Sequence, residues 1–183
     1  MLRDVFAPKL PHFSWAFPDA PTRSVTLAPG SPMPAWFDLE NLPVRKGAAE
    51  SAADFAPSTA RVHALIDAEV AKGVLPEHIV LGGFSQGGAL SLYAGLRYGK
   101  PLGGIVSFSG WLPLASELAA SPALAASRVL LVHGTRDDKV LYEMGTLARD
   151  TLAPRVKSLR FESFGGGHEA PPLRFLEEFL RAV

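Results

Sequence analysis

Residues 79–90 read IVLGGFSQGGAL, and the order of residue types in this stretch decides the fold class. The first six residues form a short apolar run of the kind that is buried on both faces of a parallel sheet. Residues 83–87 match the pattern Gly-x-Ser-x-Gly, and apolar residues at helical spacing continue to residue 98. The pattern predicts a strand over residues 79–84, a sharp turn at Ser85 and a helix over residues 87–98. In this context the serine hydroxyl projects from the end of the sheet, as a nucleophile requires.

Strand-like and helix-like segments alternate along the rest of the chain. Apolar runs predict strands over residues 104–108, 129–133 and 159–164. Helical spacing predicts helices over residues 58–73, with Ser58 as the N-cap, and over residues 144–152 and 173–180. This alternation is typical of an α/β domain with a mostly parallel sheet flanked by helices. The length of 183 residues fits one such domain, so residues 1–183 are expected to form a single domain.

The first third of the chain carries a weaker pattern. Short apolar stretches predict strands over residues 13–17 and 25–27. Several Pro and Gly residues make residues 29–47 a long loop. Loops of this length in compact domains usually have a function or lack fixed structure.

Composition excludes several classes of function. Lys plus Arg number 18 and Asp plus Glu number 18, which is not the basic excess of a nucleic-acid-binding protein. Cys is absent, which rules out disulfides, thiolate metal sites and a cysteine nucleophile. Residues 1–10 lack the apolar core of a signal peptide, and no run reaches the roughly 18 apolar residues of a membrane span. We therefore expect a cytoplasmic protein with no nucleic-acid partner and no stable membrane insertion.

Two further segments place reactive side chains after predicted strands. Asp137 and Asp138 follow the strand over residues 129–133, and His168 follows three glycines after the last strand. The carboxyl ends of parallel strands meet at one edge of a sheet, where α/β proteins bind their ligands. Serine, acid and histidine also occur here in the chain order of the α/β-hydrolase fold. Ser85, one of the two aspartates and His168 therefore form a candidate catalytic triad.

Such a triad predicts acyl transfer without a metal or cofactor. His168 would take the proton of Ser85 as the hydroxyl attacks an ester or thioester carbonyl, and the aspartate would orient the imidazole. The backbone N–H of Gln86 would donate a hydrogen bond to the oxyanion. Water activated by His168 would then release the acyl group from Ser85.

Several segments together carry a more specific signal. They are residues 82–89 (GGFSQGGA), 17–21 (FPDAP), 33–38 (MPAWFD) and 109–113 (SGWLP), with His133-Gly134-x-x-Asp137 and Gly167-His168. In order and content they resemble the phospholipase/carboxylesterase family, which includes acyl-protein thioesterases. The resemblance implies an α/β-hydrolase fold and a hydrolase of carboxylic esters or thioesters, with small-molecule or lipid-like substrates. It favours Asp137 over Asp138, and it implies that Trp111 and Leu112 border the acyl pocket and that Trp36 lies on a loop near the site.

The N-terminus departs from the pattern of that family. The family has an earlier central strand ending in a His-Gly-x-Gly loop, which supplies a second oxyanion donor, and no such segment precedes Ser85. Residues 4–8 resemble the helix after that strand, so the fold is expected to be N-terminally truncated. A strand over residues 13–17 would then lie beside the strand over residues 79–84, or a homodimer would cover the gap. Losing one oxyanion donor costs about 2.7–4 kcal/mol of transition-state stabilisation.

Two classes of function are compatible with these features. The first is a serine hydrolase that cleaves esters or thioesters through an acyl-enzyme on Ser85. The second is a catalytically weak or inactive relative that binds acyl ligands or partner proteins. The complete set of triad residues favours the hydrolase, and the missing oxyanion segment favours the second class.

Overall fold

A computed structural model describes residues 8–29 and 31–183. A small antiparallel ribbon of β1 (Thr22–Arg23) and β2 (Met33–Pro34) comes first in the chain. The main sheet has four parallel strands, and strands that are neighbours in sequence are neighbours in the sheet. They are β3 (Val80–Phe84), β4 (Gly104–Phe108), β5 (Arg128–Gly134) and β6 (Ser158–Phe164). The predicted parallel sheet is confirmed, with each strand within two residues of its expected bounds.

Helices connect the strands of the main sheet and flank them. They are α1 (Ala52–Ala71), α2 (Gln86–Gly95), α3 (Pro122–Ala126), α4 (Tyr142–Leu152) and α5 (Arg174–Leu180). Two 3₁₀ turns, Pro76–His78 and Ala115–Glu117, complete the connections. The short helix α3 is absent from the sequence prediction because five residues are too few for a helical period. Its signal is local, since the hydroxyl of Ser121 caps it by accepting from the N–H of Leu124 at 3.1 Å.

The sheet is covered on both faces, and β4 is buried along its whole length. Ile105 faces a core cluster built with α1, α2 and α4, including Phe55 and Leu152. Its neighbour Val106 faces a second cluster, built with α5 and with residues near the start of the described chain. Opposite burial of successive residues follows from the pleat of a strand. It explains why β4 reads as a continuous apolar run rather than an alternating one.

The strand predicted over residues 13–17 is wrong. These residues form no strand in the described chain, so β3 lies at the edge of the four-stranded sheet and is only partly buried. Phe13 and Trp15 instead pack against the cluster that contains Val106. The alternating aromatic residues in this segment reflect burial of one side of an irregular backbone, not pairing of that backbone with another strand. The helix expected over residues 4–8 falls, except for Pro8, outside the described residues.

Two other expectations about the first third of the chain are also wrong. Residues 25–27 form a turn, because the carboxylate of Asp38 accepts the N–H of Thr26 at 2.7 Å and the N–H of Ala28 returns to Val25 at 2.9 Å. Helix α1 begins at Ala52, not near Ser58. The alanine-rich segment before Ser58 carries no apolar period, which is why the sequence did not predict the first turns of this helix. Ser58 is buried within the helix, and its hydroxyl donates to the carbonyl of Trp36. Among the helices of the described residues, none is both long and apolar enough to cross a membrane.

Candidate active site

Ser85 occupies a strained turn between β3 and α2. Its φ of 54° and ψ of −119° lie where residues other than glycine are rarely found. Its N–H donates to the carbonyl of Phe108 at 2.8 Å, which ties the turn to the end of β4. A Cβ on Gly83 would lie 2.3 Å from the backbone of Gly87, so only glycine permits this approach of strand and helix. The flanking glycine of the motif is therefore needed for space, and the serine hydroxyl is left at the carboxyl edge of the sheet.

Asp137 lies on the loop that follows β5, and its carboxylate is fully buried. Its Oδ1 accepts the backbone N–H groups of Lys139 and Val140, both at 2.9 Å. Its Oδ2 is 2.8 Å from Nδ1 of His168. Asp138 is exposed and pairs with Lys139 at 3.3 Å. The structure therefore brings Asp137, and not Asp138, to the histidine.

His168 connects the aspartate to the serine. Its Nδ1 faces Asp137, and its Nε2 lies 2.8 Å from the Oγ of Ser85. The imidazole also packs against the ring of Phe84, with 4.8 Å between the ring centroids. Three side chains predicted from separate segments of the sequence thus form one continuous chain of hydrogen bonds.

Close backbone contacts hold the loops of Asp137 and His168 together. The N–H of Thr135 donates to the carbonyl of Phe164 at 2.9 Å, and the N–H of Arg136 donates to Gly166 at 2.9 Å. A Cβ on Gly134 would lie 2.3 Å from the carbonyl oxygen of Gly167. Close approach therefore requires glycine at position 134. The glycines before His168 have no positive φ, and a Cβ on Gly165 would meet nothing within 4 Å.

The buried groups around Asp137 have shifted pKa values. Burial raises the pKa of the Asp137 carboxyl, but the hydrogen bonds from His168, Val140 and Lys139 outweigh burial and leave it below its ordinary value. Burial lowers the pKa of His133, whose Nε2–H donates to the carbonyl of Val140 at 2.8 Å. Nε2 of His133 also lies 3.5 Å from Oδ2 of Asp137. At pH 7, therefore, the His133 imidazole is neutral and the Asp137 carboxyl is ionised.

A cavity of about 420 Å³ is lined mostly by the segment over residues 37–51, and neither Ser85 nor His168 is among its lining residues. Trp111 is buried and lines this cavity together with Phe37, and the two rings meet edge to face at 5.8 Å. Leu112 is buried beside Trp111 but is not among the lining residues. Trp36 is half-buried, and its indole nitrogen would lie 3.9 Å from a Cβ on Gly87. Trp36 thus lies near the turn of Ser85, whereas Trp111 contacts Phe37.

Several contacts near the site involve residues that sequence reasoning overlooked. The side chain of Gln86 accepts the N–H of Trp36 and donates to the carbonyl of Phe37, both at 2.8 Å. The carboxylate of Glu50 accepts the indole N–H of Trp111 at 2.6 Å and the N–H of Leu114 at 2.7 Å. Gln86 had been considered only for its backbone N–H. Glu50 lies in an irregular stretch with no period or motif, so no sequence signal could have found it.

Comparison with known proteins gives consistent results along the chain. The sequence model of the family described as phospholipase/carboxylesterase matches residues 3–183. A rice protein (Oryza sativa subsp. japonica) named probable carboxylesterase Os04g0669500 is 41% identical over 171 residues, which are 91% of this chain and 64% of the relative. Acyl-protein thioesterase 1 of Mycosarcoma maydis is 38% identical over 193 residues, covering 96% of this chain and 80% of the relative. The chain thus spans slightly less than two thirds of the rice relative.

Solved structures agree with these matches. The crystal structure of Arabidopsis thaliana SOBER1 superposes with a TM-score of 0.87 at 35% sequence identity. The superposition covers 95% of this chain and 85% of that structure. The expected α/β-hydrolase fold is confirmed by this match. With the family match over nearly all residues, it leads to one conclusion: this chain belongs to the phospholipase/carboxylesterase family.

Proposed function

We propose that this protein is a serine hydrolase that cleaves carboxylic esters or thioesters through an acyl-enzyme on Ser85. The observation that carries the proposal is the chain of hydrogen bonds from Ser85 through His168 to Asp137, with 2.8 Å at each step. These distances are within the range in which a base can take a proton from a nucleophile. Membership of the family supports the same chemistry.

The geometry assigns a role to each residue of the proposed triad. Oδ2 of Asp137 accepts Nδ1–H of His168, which leaves Nε2 unprotonated and directed at the hydroxyl of Ser85. The hydroxyl attacks the carbonyl carbon while its proton passes to Nε2, and the resulting imidazolium is stabilised by the carboxylate of Asp137. His168 then gives this proton to the leaving alkoxide or thiolate. In the second half-reaction His168 takes a proton from water as the water oxygen bonds to the acyl carbon. His168 then returns that proton to the Oγ of Ser85 as the acyl–Oγ bond breaks and the acid is released.

The oxyanion would form near the first residue of α2. Gln86 is that first residue, so its backbone N–H has no acceptor within the helix. The N-terminus of a helix also favours negative charge. We assign the Gln86 N–H as one oxyanion donor.

Two buried aromatic side chains at the cavity, Trp111 and Phe37, support an apolar acyl group as part of the substrate. The rest of the lining includes charged side chains, among them Asp38, Arg45 and Lys46, so the apolar contacts are confined to the aromatic wall. We propose Trp111, Leu112 and Trp36 as substrate-binding residues, Trp111 at the cavity wall and Leu112 behind it. Trp36 would contact the part of the substrate nearest the nucleophile turn.

Labelling with a fluorophosphonate probe tests the proposal directly. Such a probe reacts with an activated serine, so the wild-type protein should carry one adduct, located on Ser85 by mass spectrometry. Ser85→Ala should lose the adduct and the hydrolysis of p-nitrophenyl butyrate, with unchanged thermal unfolding. Ser163→Ala is a control, because Ser163 is exposed on β6 and contacts Tyr142 rather than the proposed triad. A folded wild-type protein that takes no label, or takes it elsewhere, would remove Ser85 from the role of nucleophile.

A rice relative named probable inactive carboxylesterase Os04g0669700, which is 41% identical over 122 residues, supports a second class of function. In that class the chain binds acyl ligands without forming an acyl-enzyme. The labelling rate separates the classes, since an inactive relative does not react even at high probe concentration.

A further inference from the structure

The carboxylate of Glu50 lines the cavity and joins Trp111, at the cavity wall, to the backbone turn at Leu114. One oxygen accepts the indole N–H of Trp111 at 2.6 Å, and the other accepts the backbone N–H of Leu114 at 2.7 Å. We propose that Glu50 is a positioning residue that fixes the Trp111 wall and thereby sets the selectivity of the site for the acyl group. This inference rests on the proposed hydrolase function.

The site requires a carboxylate because both of its contacts are N–H donors. An ionised glutamate offers two acceptor oxygens, whereas glutamine offers one acceptor and turns an amide N–H toward the second donor. Hydrogen bonds to an ionised acceptor are shorter and about twice as strong as neutral ones. Trp111 is only 3% exposed, and Glu50 is the acceptor that its indole N–H has in the described chain. Glu50→Gln therefore leaves one buried donor without an acceptor, at Trp111 or at Leu114.

The turn that follows Trp111 needs to be held in place. Leu114 has a φ of 47°, in the left-handed region that is costly for a branched side chain. Its N–H is held by Glu50, and its carbonyl accepts from the guanidinium of Arg97 at 3.3 Å. That guanidinium lies over the ring of Tyr93, 3.9 Å from its centroid, so Arg97 is fixed as well. The carbonyl of Leu114 also accepts the N–H of Glu117 at 2.9 Å, so loss of the Glu50 contact removes one of three polar contacts at this strained turn and the only one made by the Leu114 N–H in the described chain.

The wall that Glu50 holds is attached to the reacting groups. Phe37, the other aromatic wall, has its carbonyl bound by the side chain of Gln86. On the Trp111 side, a Cβ on Gly110 would lie 2.8 Å from the backbone nitrogen of Ala89 in α2. The segment that carries Glu50 is also joined to the loop of Asp137, because the N–H of Val44 donates to Lys139 at 2.7 Å. Both aromatic walls are therefore held at fixed positions relative to the nucleophile turn.

A series of p-nitrophenyl esters from acetate to octanoate tests the proposal. In Glu50→Gln, kcat/KM for the octanoate ester should fall about tenfold relative to the acetate ester, the effect of losing one hydrogen bond to a charged group. Most of this change should appear in KM, because Glu50 does not contact Ser85 or His168. Glu69→Gln is the matched control, because the Glu69 side chain on α1 is 46% exposed and, among the described residues, forms an ion pair only with Lys72. If the ratio of kcat/KM for the octanoate ester to kcat/KM for the acetate ester is the same in Glu50→Gln and in wild type, the proposal is overturned.

A double-mutant cycle separates positioning from general loss of stability. Trp111→Phe keeps an aromatic ring but removes the indole N–H, so adding Glu50→Gln to it should change selectivity less than Glu50→Gln does alone. A structural role alone predicts coupled changes in the melting temperature, because the two side chains are hydrogen-bonded, and an unchanged selectivity ratio in all three variants. If Trp111→Phe and Glu50→Gln change the selectivity ratio independently, so that their effects simply add in the double variant, the assignment of Glu50 is contradicted.

Binding of 1-octanol, a neutral ligand that cannot be hydrolysed, distinguishes the failure of this inference from the failure of the proposed function. Calorimetry should give about tenfold weaker binding in Glu50→Gln than in wild type or Glu69→Gln. If fluorophosphonate fails to label Ser85 while this difference holds, the hydrolase proposal is wrong and the role of Glu50 in fixing the cavity stands. If labelling is normal and octanol binds all three proteins equally, the role of Glu50 is wrong and the hydrolase proposal stands.

Discussion

Asp137→Asn is the substitution whose effect follows most directly from the site geometry. Asparagine can keep its oxygen on the N–H groups of Lys139 and Val140, which now meet Oδ1 at 2.9 Å. Its amide nitrogen then faces Nδ1 of His168 at the place of Oδ2, 2.8 Å away. Two N–H groups cannot face each other, so the imidazole must carry its proton on Nε2. In that tautomer it donates to Ser85 instead of accepting its proton.

Rotating the asparagine amide does not solve this problem. The oxygen would then face His168, but the NH₂ group would face two backbone donors. The expected loss is about 10⁴-fold in kcat, as in a triad whose histidine is held in the wrong tautomer. This corresponds to about 5.4 kcal/mol at 1.36 kcal/mol for each factor of ten.

The assay compares Asp137→Asn with Asp138→Asn on p-nitrophenyl butyrate under saturating substrate. Asp138 is exposed and pairs only with Lys139, so its substitution should change kcat by less than about twofold, as for a typical exposed ion pair. Circular dichroism and thermal unfolding verify that both variants fold. The reasoning fails if folded Asp137→Asn keeps kcat within tenfold of wild type, or if Asp138→Asn loses more activity than Asp137→Asn.

Three further predictions concern stability and the cavity. Gly83→Ala should lower the free energy of unfolding by about 3 kcal/mol, which corresponds to roughly 6–12 °C in Tm, because the added Cβ would meet backbone atoms at 2.3 Å. Gly99→Ala is the control, because its Cβ would meet nothing within 4 Å. Equal melting temperatures of the two variants would contradict this prediction. The free energy of unfolding should fall as the pH drops below 6.5, because the pKa of His133 is lower in the folded protein than in the unfolded chain. It should fall again below pH 3.8, because the pKa of Asp137 is lowered in the same way. In both ranges the unfolded chain binds more protons than the folded protein. Urea unfolding between pH 7 and pH 5 should show this loss, and His133→Gln should reduce it; an unchanged slope would exclude His133. Trp111→Ala should lower kcat/KM for octanoate esters more than for acetate esters, and a uniform loss across the ester series would argue against a role in acyl selectivity.

The two central strands, β4 and β5, were predictable because they are buried on both faces and therefore read as apolar runs. β4 and β5 differ from their predicted bounds by one residue or less at each end. Residues 13–17 misled the prediction because aromatic residues at alternating positions can bury one side of an irregular segment as well as a strand. An alternating apolar pattern indicates which side chains are buried. Whether the backbone pairs into a sheet depends on a partner strand elsewhere in the chain, which the local sequence does not specify.

The candidate triad was predictable for a different reason. The carboxyl ends of parallel strands meet at one edge, so reactive residues after β3, β5 and β6 were expected to converge. The choice between Asp137 and Asp138 depends on loop geometry, in which Asp137 takes two backbone N–H groups and points inward. Glu50 and the Gln86 side chain escaped notice because their partners are distant in sequence. A single domain over residues 1–183, a cytoplasmic location and a homodimer stay predictions of the sequence.

The conformation of Ser85 also determines which residues folding would favour at this position. A backbone with a φ of 54° and a ψ of −119° costs a side-chain-bearing residue about 1–3 kcal/mol, and glycine avoids that cost. A library varied at position 85 and selected only for thermal stability would therefore be enriched in glycine. The same library selected for ester hydrolysis would keep serine. Stability and activity thus favour different residues at one position, and the natural serine shows that selection for stability alone has not fixed it.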